Sequence, residues 1–236
     1  MGQKALFDDE ARKWESLYRQ GVGERWGIFQ KNVRGRTVAR MELCLSILPP
    51  VNGRDVIELG CGPGFYGARL IGAGARWTGL DISEPMLAVC RGNIPGARVA
   101  RGNVLALPFR PASCDVMLCV GVLSYLSRAE IDSLFSHAYS ALRSGGVFLA
   151  QTVIFDPFTW VRCRLPAWIP RPLRIPGPFT PRSPRTIRRL LEKNGFAVRR
   201  VVTYWKYLAY PAGNVYLAVK NPESQIPNPN RGLSDR

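Results

Sequence analysis

The sequence predicts an α/β protein: a seven-stranded, mainly parallel sheet with helices on both faces and an antiparallel strand pair at its end. Three observations carry that expectation. Short β-rich runs alternate with helical patterns from residue 55 to 155, the pattern of parallel strands joined by crossover helices. The first of those runs ends in a cluster of glycines, Gly60, Gly62 and Gly64. After one further helical pattern, two β-rich runs follow each other with no helix between them.

Taken in order, residues 6–20 and 33–48 read as two helices joined by GVGERWG, and 1–54 as an N-terminal helical lid. Residues 55–60 (DVIELG) form a strand and about 64–73 a helix. A second strand spans 76–81 (RWTGLD), and a second helix spans 84–92 with Ser83 placed to cap it. Strands at 97–102, 115–120 and 146–155 follow, and the helix at about 128–142 stops at Gly145-Gly146. Prolines at 157, 166, 170, 172, 176, 178 and 181 exclude a regular helix or central strand. Residues 156–181 are therefore an irregular insertion within a domain spanning 55–220. A helix at 183–194 has Pro184 in its first turn and Gly195 just past its end. Strands at 196–204 and 213–220 complete the sheet, and 221–236 is a polar, flexible tail.

Composition narrows the function classes. With 236 residues and 46% hydrophobic content, the chain can bury a core. Its longest uncharged apolar stretches, near 116–126 and 146–155, fall short of the ~20 residues of a membrane-spanning helix. MGQKALFDDE lacks the apolar run of a signal peptide. The six cysteines include no C-x-x-C pair and there is one histidine, so neither a zinc site nor a disulfide scaffold is expected. These features point to the cytoplasm and to no bound metal. The formal charge is +16, and residues 156–220 alone carry +11 while 55–155 is nearly neutral. Such asymmetry suits an anionic partner: nucleic acid, an acidic lipid surface or a phosphorylated substrate. The bland alternative is a solvated surface, since 27 of the 33 cations are arginine.

The segment with chemical content is Val56-Ile57-Glu58-Leu59-Gly60-Cys61-Gly62-Pro63-Gly64. Glycines at the end of a buried strand let a ligand lie against bare backbone. Asp81 ends the second strand, and its carboxylate can accept two hydrogen bonds from a ribose diol. Gly62, Gly64 and Gly67 also satisfy G-x-G-x-x-G, which raises a dinucleotide-dependent dehydrogenase as a reading. Glu58 argues against it, because a carboxylate near the loop repels a pyrophosphate but favours an ammonium and a sulfonium.

At this point the chain resembles the class I S-adenosylmethionine-dependent methyltransferases, whose fold is Rossmann-like. Glu58-x-Gly60-x-Gly62-x-Gly64 is similar to the family's first motif and Gly79-Leu80-Asp81-Ile82-Ser83 to its second. Gly102-Asn103-Val104-Leu105-Ala106-Leu107-Pro108-Phe109 is similar to its G-D-A-x-x-L-P-F segment. Asp115–Cys119 followed by Val122-Leu123-Ser124-Tyr125-Leu126 resembles the fourth-strand motif, and Leu142-Arg143-Ser144-Gly145-Gly146 the turn before the fifth strand. The resemblance implies S-adenosylmethionine as cofactor, held by Glu58, Gly60, Cys61, Gly62, Gly64, Asp81, Ile82, Asn103, Val104 and Cys119. Gly60 and Cys119 would offer carbonyls to the methionine ammonium. Asn103 stands where the family has an aspartate, so the adenine amino group would meet an amide oxygen without charge assistance.

The acceptor is read from fewer residues. Ligands of open α/β sheets bind beyond the carboxyl ends of strands, where Tyr125 and Asp156 are the candidate catalytic groups, with Ser124 lining the acceptor. His137, the sole histidine, falls on the polar side of its helix. Phe7-Asp8-Asp9-x-Ala11-x-x-Trp14-x-x-Leu17-Tyr18 resembles the lid of quinone-biosynthesis and magnesium-protoporphyrin methyltransferases, which implies Tyr18 over the cofactor and Trp26 over the acceptor. In the insertion, Phe158 and Trp160 stand among arginines, a composition suited to a lipid headgroup region, a base stack or an apolar pocket. The expectation is methyl transfer to a small, hydrophobic or lipid-like acceptor, with peripheral contact to an anionic membrane. An RNA methyltransferase using the basic 156–220 region and a non-catalytic S-adenosylmethionine-binding partner protein stand as alternatives. The oligomeric state is left open.

Overall fold

The computed structural model describes residue 8, residues 38–153, positions 161, 165 and 180, and residues 182–207 and 210–221. A helical stretch over 38–46 precedes β1 (Asp55–Leu59), α1 (Phe65–Gly72), β2 (Arg76–Asp81), α2 (Glu84–Asn93), β3 (Arg98–Arg101) and β4 (Cys114–Val120). A 3₁₀ turn (Leu123–Tyr125), α3 (Arg128–Ala141), β5 (Leu142–Val153), α4 (Pro184–Lys193), β6 (Phe196–Tyr207) and β7 (Tyr210–Lys220) complete the order. The expected strands and helices from 55 onward are therefore present, with ends shifted by a few residues. The first expected helix apart from Asp8, the insertion from 156 to 181 apart from Val161, Leu165 and Thr180, and the tail from 222 onward lie outside the described residues.

The seven strands form one sheet ordered β3-β2-β1-β4-β5-β7-β6. β1 to β5 are parallel neighbours, β7 runs antiparallel to β5, and β6 runs antiparallel to β7. The last pair is antiparallel as expected, but the last strand in sequence is not the last in space. Leaving β5 through α4, the chain enters β6 one position out, and β7 folds back into the gap. One further difference concerns β5, expected to start at Gly146. It begins at Leu142, opposite Cys114, but the register then shifts and regular pairing resumes at Val116↔Val147. Gly145, at φ 71°, is the left-handed residue of this bulge.

Burial on both faces explains why the strands read as nearly continuous apolar runs. One face packs Phe135, Phe148, Phe196 and Tyr139 beneath α3 and α4, with Phe135 edge-on to Phe148 at 5.5 Å. The other packs Met41, Cys44, Leu70, Trp77 and Leu87 beneath the 38–46 helix, α1 and α2. The helix ends follow their sequence signals. Ser83 accepts from the Met86 N–H at 3.4 Å, and Ser127 with Glu130 forms a reciprocal capping box on α3. The amino ends of β1 and β4 are tied by Arg143, which donates to Asp55 at 2.9 Å and bridges to Asp115 at 2.8 Å. This end of the sheet is a structural clamp, which leaves the carboxyl edge for chemistry.

Candidate functional site

At the carboxyl edge, the loop after β1 turns back on β2: Gly60 and Cys61 both donate backbone N–H groups to Leu80 O, at 2.7 and 3.0 Å. Gly60 has φ 72°, and a Cβ on it would come within 2.3 Å of Val122 Cγ2, so no other residue fits there. Gly62 faces open space, with nothing within 4 Å of an added Cβ. That is the bare backbone a ligand can approach. Gly67 is different: its Cβ would meet the Trp77 ring at 2.6 Å. The third glycine of the dinucleotide-like spacing is thus a packing residue.

Asp81 is 8% exposed and accepts from the Gly62 N–H at 2.8 Å through Oδ2 and from the Ser83 N–H at 2.9 Å through Oδ1. Burial pushes its carboxyl above the ordinary range, against the pull of these bonds and one from the Ile82 N–H. Two carboxylate oxygens offer about four lone-pair directions, and the three N–H donors leave about one of them for a ribose hydroxyl. Ser83, at the start of α2, donates to Asp8 at 2.7 Å, placing a second carboxylate beside the first.

Glu58 is 2% exposed and accepts from Trp77 Nε1 at 3.0 Å. Burial holds its carboxyl well above the usual range. It lies under the glycine loop and is turned to the core indole. Cys61 Sγ turns the same way, packed between Gly79 and Cys90, and its contact with Cys90 raises its thiol strongly. Cys119 is fully buried inside β4, in register with Leu59 and Ala150. Asn103 is exposed, and its Oδ1 accepts the Leu105 N–H at 3.0 Å, while Ile82 and Val104 are half-buried. Ser124 is 3% exposed and its carbonyl accepts from Thr180 N–H at 2.6 Å. Tyr125 is half-buried and closes the 3₁₀ turn by donating its N–H to Val122 O at 2.9 Å. His137 is exposed on α3. Tyr18, Trp26, Asp156, Phe158 and Trp160 lie outside the described residues.

One group at this edge was not read from the sequence. Arg40 projects from the 38–46 helix between Tyr66, in the first turn of α1, and Tyr204 of β6. Its Nε is buried without a hydrogen-bond partner among the described residues, whereas the Tyr66 hydroxyl lies against the Cys44 thiol. No carboxylate among the described residues pairs with it. Burial works to lower the guanidinium, and the neighbouring phenols and Cys44 more than offset that. The Cys44 thiol is itself pushed up to about 11 by burial. No sequence signal marked Arg40, one of 27 arginines in a helix with an ordinary amphipathic pattern.

The arrangement fits S-adenosylmethionine: a ribose-hydroxyl acceptor at Asp81, open backbone at Gly62, and a cation at Arg40 that no carboxylate among the described residues pairs. Among the described residues there is no cluster of three metal-ligating side chains. Residues 56–146 match a family model described as a methyltransferase domain. A probable S-adenosylmethionine-dependent methyltransferase of Mycolicibacterium smegmatis is 41% identical over 110 residues, covering 44% of this chain and 41% of that protein. A tRNA U34 carboxymethyltransferase of Citrifermentans bemidjiense is 31% identical over 146 residues, covering 59% and 44%. The chain thus spans less than half the length of these curated relatives. In three dimensions it is similar to the magnesium protoporphyrin IX methyltransferase of Synechocystis crystallised with S-adenosylhomocysteine, at TM-score 0.68 and 19% identity over 92% of this chain and 98% of that one.

Proposed function

We propose that this chain, whose residues 56–146 match a methyltransferase-domain model, is a class I enzyme that moves the methyl group of S-adenosylmethionine to a small, apolar acceptor above the carboxyl ends of β4 and β5. The observation that carries the cofactor is Asp81, a buried carboxylate fixed by backbone N–H donors at the end of β2. It would hold a ribose hydroxyl. Asn103 and Val104 would hold the adenine, Gly62 would leave room for the methionine end, and Arg40 would take its carboxylate. Glu58 acts from beneath the loop as a support, through Trp77.

S-Adenosylmethionine supplies an electrophilic methyl group on a sulfonium, so transfer is an in-line displacement governed by alignment. The chain's contribution is to bind, orient and exclude water. Ser124 and Tyr125, at the turn beyond β4, border the space an acceptor would enter. A base is required only where the acceptor is a hydroxyl or an acidic carbon, and Tyr125 and Asp156 are our candidates for it. The aromatic content of 156–181 supports an apolar acceptor. A second reading, RNA, is favoured by the +11 charge of 156–220.

Methyl-labelled S-adenosylmethionine, incubated with the protein and either a lipid and quinone-precursor extract or total tRNA, separates the two. Label is expected in the organic-extractable fraction. Label in RNA would replace the acceptor class, and cofactor binding with label in neither would favour the non-catalytic partner.

A further inference from the structure

The carboxyl ends of β4, β5 and β6 are joined by a buried chain of hydrogen bonds that the cofactor reading does not use. Gly121 N–H, one residue past β4, donates to Gln151 Oε1 at 2.9 Å. Gln151 is fully buried on β5, and its Nε2 donates to the Tyr204 hydroxyl. The direction of the amide follows from its partners. A backbone N–H can only donate, so Gln151 must present oxygen to Gly121 and its NH₂ to Tyr204. The phenol oxygen thereby accepts from Gln151, and its own proton is left to point elsewhere.

What surrounds that proton is specific. Arg40 reaches the same hydroxyl, so the phenol oxygen faces two donors. Its O–H therefore points away from both. Arg40 Nε, close by, is a buried donor without an acceptor among the described residues. Gly213 on β7 makes the geometry possible: a Cβ there would fall 2.2 Å from the Tyr204 hydroxyl. Unsatisfied buried donors are rare in folded proteins, and one on a cation beside a phenol O–H suits an anion with two oxygens.

We infer that Gln151 and Tyr204 are positioning residues that hold Arg40 and aim a second donor at the carboxylate of the cofactor's methionine end. The inference rests on the S-adenosylmethionine reading and names the residues behind its recognition of the amino-acid moiety. Gln151 acts twice removed, by fixing the phenol that fixes the arginine. Because it also holds Gly121, it couples the carboxylate site to the end of β4.

The test compares two ligands by isothermal titration calorimetry. S-Adenosylhomocysteine carries the carboxylate, whereas 5′-methylthioadenosine keeps the adenosine and lacks the amino acid. Tyr204→Phe and Gln151→Leu are expected to weaken S-adenosylhomocysteine binding by about tenfold or more, as for loss of a hydrogen bond to a charged group. Affinity for 5′-methylthioadenosine should stay at the wild-type level. Gln151→Glu should weaken S-adenosylhomocysteine further, because the new carboxylate competes for Arg40. Equal losses for both ligands, or none for either, would overturn the inference and leave the cofactor reading standing. Failure of the wild-type protein to bind either ligand would overturn both.

Discussion

Asp81 and Glu58 show how two carboxylates of one motif region diverge by environment alone. Asp81 is held by backbone donors and keeps oxygens available, so Asp81→Ala should weaken S-adenosylmethionine binding by about 1.5–3 kcal/mol. Titration calorimetry measures this, and unchanged affinity would remove Asp81 from the ribose. Glu58 is sealed under the loop with a raised pKa whose main cause is burial. Its folded state holds the proton more tightly than the unfolded chain. Its ionisation is therefore linked to stability that is present at low pH and is lost as pH rises from its ordinary value of 4.5 through the folded value. Glu58→Gln removes that dependence. Melting temperatures of both proteins, followed upward from about pH 4, should show the variant gaining on the wild type. The motif spelling marked both residues as ligands of a cofactor. Which of them keeps free oxygens depends on Trp77, 19 positions from Glu58 and on the neighbouring strand.

Among the elements, the clamp at the amino ends of β1 and β4 gives a sharp acid response. Arg76 chiefly, with Arg143, holds the Asp55 carboxyl down at about 2. A depressed carboxylate contributes stability above its ordinary value of 3.8 that disappears as pH falls toward 2. The pair contacts are partly exposed, so the contribution is modest and screened by salt. Asp55→Asn should flatten acid unfolding in that window, read by circular dichroism. Helix α3 depends on its amino end: Ser127→Ala removes one half of the capping box and should cost about 1 kcal/mol in a urea titration. Local rules of this kind were legible in the sequence. Ser83 before α2 and Pro184 in α4 were placed from residue type, because capping is settled within four residues. The bulge after Leu142 was not, since Gly145 permits it but the register of β4 against β5 decides where pairing resumes.

For the whole molecule, the open question is what the basic carboxyl-terminal third meets. No helix among the described residues is long and apolar enough to cross a membrane. We expect retention on anionic vesicles that survives added tRNA and falls with salt; loss to tRNA, with no vesicle binding, would bring RNA methylation forward. By itself the sequence determined the strand–helix alternation, the glycine loop and the acid at the end of β2. These are local, set by periodicity and by residues within about 25 positions of one another. Only the tertiary structure decided that β7 lies inside β6, that Glu58 faces the core, and that Arg40, Gln151 and Tyr204 meet. Those three come from segments more than 50 residues apart. Their meeting follows from sheet order and from the missing side chain at Gly213, neither of which is written in any local pattern.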